Sequence, residues 1–134
     1  GLPELPLGIV PDAGALQRLP KLIPKNIARE MFLLGRRMTA HEASRYGLIN
    51  KIVKKENLME EATEWAKIIA KSAPLAVQTV KEIEREIESF PVKESFSRMR
   101  NNNLPTYKKM LMSSDATEGV SAFVNKREPK FKGE

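Results

Sequence analysis

Pro3, Pro6, Pro11 and Pro20, with Gly8 and Gly14 between them, rule out one continuous helix through the first twenty residues. Each proline fixes φ and removes an amide donor, so the segment reads as loop and turn up to about residue 12. Asp12 then stands before Ala13–Leu19 as the N-cap of a short helix that Pro20 should stop. A second helix is expected from about Lys25 to Leu34, closed by Gly35. Thr39 and Glu42 have the spacing of a capping box, and Gly47 stands where a C-terminal glycine should end the helix they start.

The remainder is helical in pattern with one exception. Leu48–Val53 is rich in branched residues and suitably bounded, which predicts a strand. Leu58, Ala62, Trp65 and Ile69 recur at helical spacing between Asn57 and Lys71. Pro74 opens another helix carrying Val77, Val80, Ile83 and Ile87, and these two helices should pack as a hairpin. Pro91 is placed to start the next helix, and Pro105 should end or kink its continuation near Asn101 to Asn103. Asp115 and Glu118 repeat the capping-box spacing ahead of Val120, Phe123 and Val124. Trp65 and the methionines are expected in the core, and His41, in a capped helix turn, at the surface.

A length of 134 residues suits a single core, and 41% apolar with 30% charged residues is the balance of a folded chain. With no cysteine and one histidine, disulfide scaffolds, thiolate catalysis and thiolate metal sites are excluded. No apolar run approaches the roughly 18 residues needed to cross a bilayer, so no membrane partner is expected and the compartment reads as cytoplasmic. The net charge of +6 suits an anionic partner, but acidic residues interleave with the basic ones through the helical middle. That pattern reads as solvated helix faces, with no nucleic-acid stripe. Periodicity alone leaves two architectures open: a helical bundle, or a helical layer of a larger α/β protein.

Motifs along the chain separate these. Pro3-Glu4, Gly8-Ile9-Val10-Pro11-Asp12-Ala13-Gly14 and Gln17-Arg18-Leu19-Pro20 come first. Leu34-Gly35-Arg36-Arg37-Met38-Thr39-Ala40 follows, with Glu42-Ala43 and Gly47-Leu48-Ile49. Asp115-Ala116-Thr117-Glu118-Gly119, Ala122-Phe123, Lys126-Arg127 and Pro129-Lys130-Phe131 close the chain. In order and spacing they resemble the enoyl-CoA hydratase/isomerase, or crotonase, family, with likenesses to both its dienoyl-CoA isomerase and crotonobetainyl-CoA hydratase branches.

The resemblance implies an α/β crotonase-like fold of which this chain is the C-terminal, mainly α-helical half, with one or two short strands. Residues 1–90 would be the C-terminal part of the core, and residues 91–134 a helical region for trimerisation and CoA contact. The resemblance also implies an acyl-CoA thioester substrate with no separate cofactor, CoA being part of the substrate, and a homo-oligomer, a trimer or dimer of trimers. The family's main CoA loop and its oxyanion-hole amides, the electrostatic centre of such chemistry, would lie in a preceding half, so a complete active site is not expected here.

By the same resemblance Glu4 matches a catalytic glutamate, acting as general acid or base at the α-carbon or on the attacking water. Asp12 matches a catalytic aspartate of isomerase members, where many hydratases have glycine. Lys126 matches a lysine that reaches the phosphorylated adenosine end of CoA, often in a neighbouring subunit, and Tyr107 an aromatic residue covering the same ligand. The activities implied are reversible hydration of a 2-enoyl-CoA, or enoyl or dienoyl isomerisation by Glu4 and Asp12; a non-catalytic oligomerisation or CoA-binding module is the alternative of another class.

Overall fold

The computed structural model describes residues 1–87, 89–101 and 104–134, and the chain forms two compact units, Gly1–Leu58 and Met59–Glu134. The division expected at residue 90 is one of role; it falls inside the second unit.

In the first unit a single 3-10 turn, Leu5–Leu7, precedes helices α1 (Ala15–Leu22), α2 (Lys25–Leu34) and α3 (Ala40–Arg45). Ile27, Ala28, Met31 and Phe32 repeat every four residues on one face of α2, and bury themselves against Leu19 and Ile23. Leu2, Met38, Tyr46 and Leu48 pack around that cluster. Pro20 does not stop α1, which runs on to Leu22. It removes one amide, but Ile23 N–H still donates to the Leu19 carbonyl at 3.1 Å, and the burial of both residues holds the last turn. Nor does Asp12 cap the helix: the N-cap is Gly14, at φ 95° with no side-chain bond, because the chain enters α1 through a left-handed turn that glycine tolerates best.

The end of α2 and the capping box of α3 are as expected. Gly35 closes α2 at φ 61°. Thr39 Oγ1 accepts from the Glu42 amide at 3.2 Å while Glu42 Oε2 accepts from the Thr39 amide at 2.9 Å. The Thr39 donors hold the Glu42 carboxyl below its ordinary range, assisted by the Arg36 guanidinium. Gly47, at φ 75°, donates to the Ser44 carbonyl and Leu48 to the Ala43 carbonyl, the paired bonds of a Schellman stop. The strand expected over Leu48–Val53 is absent, and no strand occurs among the described residues. Branched side chains favour extended backbone, but a strand needs a second one to accept its hydrogen bonds, and none runs beside it.

The second unit is built on α5 (Pro74–Ile87), against which α6 (Val92–Arg100) and α7 (Pro105–Leu111) pack. Ser95 Oγ donates to the Ile87 carbonyl at 3.0 Å, tying α6 to the end of α5. Pro105 begins α7 instead of merely interrupting α6; the Thr106 amide, an orphan of that first turn, finds Glu82 Oε2 of α5 at 3.2 Å. Arg100 ends α6 with Asn101 as its C-cap, and Asn102 and Asn103, where the break was expected, lie outside the described residues.

The hairpin expected between α4 (Leu58–Ala70) and α5 does not form. The buried positions of α5, Leu75, Thr79 and Ile87, belong to a helix already packed by α7 and α6. Helix α4 buries no residue, so Trp65 is 44% exposed instead of core, its indole N–H donating to Glu61 of the preceding turn at 2.8 Å. The methionines divide: Met31 is buried, whereas Met59 and Met112 are exposed.

The capping box expected of Asp115 and Glu118 is also replaced. Ser113 is the N-cap of α8 (Ser114–Val124), its Oγ accepting from the Ala116 amide at 3.1 Å. Asp115, only 2% exposed, takes the Lys132 and Gly133 amides on its two oxygens, each at 2.7 Å. Glu118 receives both terminal nitrogens of Arg127, at 2.6 and 2.8 Å, and the Lys130 amide at 2.8 Å. Three residues apart, the two carboxylates share a helix face, and together they bind the final segment along α8. Beside Glu118, Gly119 receives the Phe131 ring, whose nearest atom would lie 3.5 Å from a Cβ added there.

Two outcomes follow from this clamp. Asp115→Asn turns an NH2 group toward a backbone N–H and should cost about 1–3 kcal/mol; urea unfolding would measure that loss, and hydrogen exchange should show the Lys132 and Gly133 amides losing protection. Glu118 is held from 4.5 down to about 2, first by the Arg127 hydrogen bonds and then by the Lys130 amide. Its folded value lies below its unfolded one, so its stabilisation is complete above about pH 4.5 and is lost as the pH falls toward 2. An NMR titration of the Lys130 amide should place release in that window; release centred at pH 6 would contradict the assignment.

Candidate functional site

Glu4 is the most constrained of the residues singled out by sequence. Its carbonyl accepts the Leu7 amide at 2.9 Å and the Ile9 amide at 3.3 Å, and Gly8 closes the turn at φ 75° by donating to Leu5. The chain just before it crosses the end of α2, where a Cβ on Gly35 would lie 3.7 Å from the Leu2 carbonyl and 4.0 Å from Pro3 Cα. The backbone on both sides of Glu4 is thereby fixed. The side chain is half-buried, with Oε2 shielded from solvent and accepting no hydrogen bond. A carboxylate oxygen out of water and free of donors keeps a lone pair for a proton in transit.

Asp12 lies eight positions on, in the turn that leads into α1, and is exposed. With Gly14 as the cap, its carboxylate carries no structural duty there. An open groove on this unit, about 360 Å³, is lined by Leu2, Gly14, Arg18, Leu19, Leu22 and Met31 among others, and by neither Glu4 nor Asp12. Arg18 folds back over Gly14, its guanidinium carbon 3.1 Å from where a Cβ would sit. His41 is exposed on α3.

The second unit carries the other two residues. Tyr107 is half-buried on α7. Lys126 follows the C-cap Asn125 of α8 at φ 50°, the one described non-glycine residue with positive φ. Its amide donates to the Phe123 carbonyl at 3.2 Å and the Arg127 amide to the Ala122 carbonyl at 3.0 Å, a Schellman stop with lysine in the place glycine normally takes. The Lys126 ammonium is exposed and unpaired among the described residues.

Sequence reasoning missed that the residues around Lys126 are held by Asp115 and Glu118. The signal was present in the motif itself, whose acidic pair and basic tail are complementary in charge, but the capping-box spacing offered a nearer explanation.

The family profile for enoyl-CoA hydratase/isomerase matches residues 1–134. The carnitinyl-CoA dehydratase of Salmonella typhimurium strain LT2 is 48% identical over 132 residues, covering 98% of this chain and 51% of that protein. The chain therefore spans about half the length of the curated relatives it matches. Among solved structures, the enoyl-CoA hydratase of Bacillus anthracis superposes with a TM-score of 0.89 at 37% identity, over all of this chain and 50% of that one. That of Mycobacterium tuberculosis H37Rv gives 0.88 at 33% identity, over all of this chain and 52% of the other. At these identities the likeness extends beyond the fold, which is the helical portion of a crotonase-type α/β fold. The chain belongs to the enoyl-CoA hydratase/isomerase family.

Proposed function

We propose that this chain contributes the Glu4 carboxylate to an acyl-CoA hydratase, which reversibly adds water across the double bond of a 2-enoyl-CoA thioester. The observation that carries the reading is Glu4 Oε2, shielded and unpaired on a backbone pinned at both sides. In the hydration direction the carboxylate takes a proton from the water whose oxygen bonds the β-carbon and delivers a proton to the α-carbon; in dehydration it removes that α-proton and returns a proton to the leaving hydroxyl. The thioester oxygen gathers negative charge in either direction and requires donors beyond the side chains described above. Relatives named as a carnitinyl-CoA dehydratase and as enoyl-CoA hydratases favour this chemistry over double-bond migration. Carnitinyl-CoA is accordingly the first hydroxyacyl thioester to try, beside crotonyl-CoA.

Isomerisation remains the second reading because Asp12, released from capping, is an exposed carboxylate near Glu4 in sequence. We assign residues 91–134 to CoA contact and to assembly of copies, supported by the outward Lys126 and by Val120, Phe123 and Val124, which α8 leaves 67%, 86% and 71% exposed. Lys126 pairs with CoA phosphate and Tyr107 covers the ligand in this assignment.

Steady-state kinetics on the whole protein bearing this chain separates the readings. Glu4→Gln should lower kcat for hydration of crotonyl-CoA by roughly 10²–10⁴-fold, with little change in KM, while Asp12→Asn stays within about threefold of wild type on the same substrate. Wild-type turnover by Glu4→Gln would sink the assignment of Glu4. Loss of 3-enoyl-CoA isomerisation in Asp12→Asn, with hydration absent throughout, would favour the isomerase.

A further inference from the structure

The free cation and the paired cation on the turn after α8 are adjacent in sequence, and their difference has a mechanical meaning. Lys126 is forced to a positive φ that a lysine rarely adopts, and its ammonium projects unpaired among the described residues. Arg127 has both terminal nitrogens in the Glu118 carboxylate, which also takes the Lys130 amide. Arg127 is thus already neutralised and is not offered to a ligand. What its fork does is fix the residue that follows Lys126, as the Lys126 and Arg127 amides bonded to α8 fix the turn itself. A planar guanidinium held at two points tolerates little rotation, so the direction in which Lys126 leaves the helix is set by a side chain already committed to Glu118.

Resting on the reading of Lys126 as the contact to CoA phosphate, we propose that Glu118 and Arg127 are positioning residues that aim its ammonium at the nucleotide end of the substrate. An ammonium free to wander would lose part of its attraction for a phosphate through the entropy of fixing it on binding. The pair would therefore act on affinity for the nucleotide portion, leaving the reacting carbons unaffected.

The probe is adenosine 3′,5′-bisphosphate, which carries CoA's two phosphorylated positions without the thioester; its binding to the whole protein is measured by calorimetry. KM is measured in parallel for crotonyl-CoA and for crotonyl-pantetheine, which lacks the nucleotide. Glu118→Gln and Arg127→Gln should each weaken the bisphosphate and raise the crotonyl-CoA KM about five- to tenfold. Both should leave kcat and the pantetheine thioester at wild-type values, and neither should add to Lys126→Ala in a double variant. Arg127→Lys, which keeps the charge and the fold but not the fork, should fall between.

Equal losses on both thioesters would mean that the pair only supports folding, and would overturn the inference. So would a normal bisphosphate affinity in Glu118→Gln and Arg127→Gln when Lys126→Ala is impaired. Normal affinity in Lys126→Ala would overturn the CoA role of Lys126 and the inference with it. Absence of hydration, with the expected bisphosphate losses intact, would remove the hydratase reading and leave the positioning inference standing.

Discussion

A buried aspartate organises the end of the molecule. Asp115 is almost fully withdrawn from water, and a carboxylate in that position is tolerable only when its oxygens are matched by donors. The Lys132 and Gly133 amides supply them, the Asp115 amide returns a bond to the Glu134 main-chain oxygen, and Ser114 Oγ donates to that same oxygen at 2.7 Å. The remaining contacts of the segment follow from that anchor. Once the last residues are held against the start of α8, Phe131 reaches Gly119, Lys130 and Arg127 reach Glu118, and the turn at Lys126 joins the helix to a segment already fixed. A left-handed lysine costs roughly 1–2 kcal/mol relative to an ordinary conformation, and it persists because the structure on both sides specifies the turn.

The same spacing rule succeeded at one end of the chain and failed at the other for a reason visible in the residues. Thr39-x-x-Glu42 and Asp115-x-x-Glu118 both satisfy the capping-box pattern. The first is a capping box because, among the described residues, only the Thr39 amide and hydroxyl and the Arg36 guanidinium engage the Glu42 carboxylate. The second is preempted by Ser113, two residues earlier, which leaves Asp115 and Glu118 free to bind donors 9 to 18 residues further on. A local rule registers the spacing and cannot weigh a partner that distant. Helix bounds set by the chain itself were legible: Lys25–Leu34 with Gly35, a start at Pro74, and a start at Val92 with Pro91 as its N-cap. Those depending on a neighbour were not, as the unpaired Leu48–Val53 and the unformed α4 hairpin show.

Helix α4 illustrates what periodicity does and does not specify. Its apolar residues lie at helical spacing and it forms a helix, yet Ile68 and Ile69 remain 68% and 54% exposed. An amphipathic stripe states that a face is to be covered; it does not name the cover. At about 25 cal/mol per Å² of apolar surface removed from water, covering such a face is worth a sizeable part of a domain's net stability. That is consistent with a chain spanning about half the length of its relatives.

Sequence likeness names candidate carboxylates and says nothing of their surroundings, and the acidic residues of this chain show why. Glu42, Asp115 and Glu118 are each supplied with backbone or guanidinium donors. Oxygens engaged by such donors hold structure and have fewer lone pairs to offer a proton in transit. Glu4 has its backbone as firmly held as theirs, but one side-chain oxygen is withdrawn from water and left without a donor. In sequence all four are simply acidic residues, and nothing in residue type distinguishes an anchor from a base. The distinction arises only where the fold directs its donors, and here it directs them to every one of these carboxylates except the one that a proton-transfer role requires to be free.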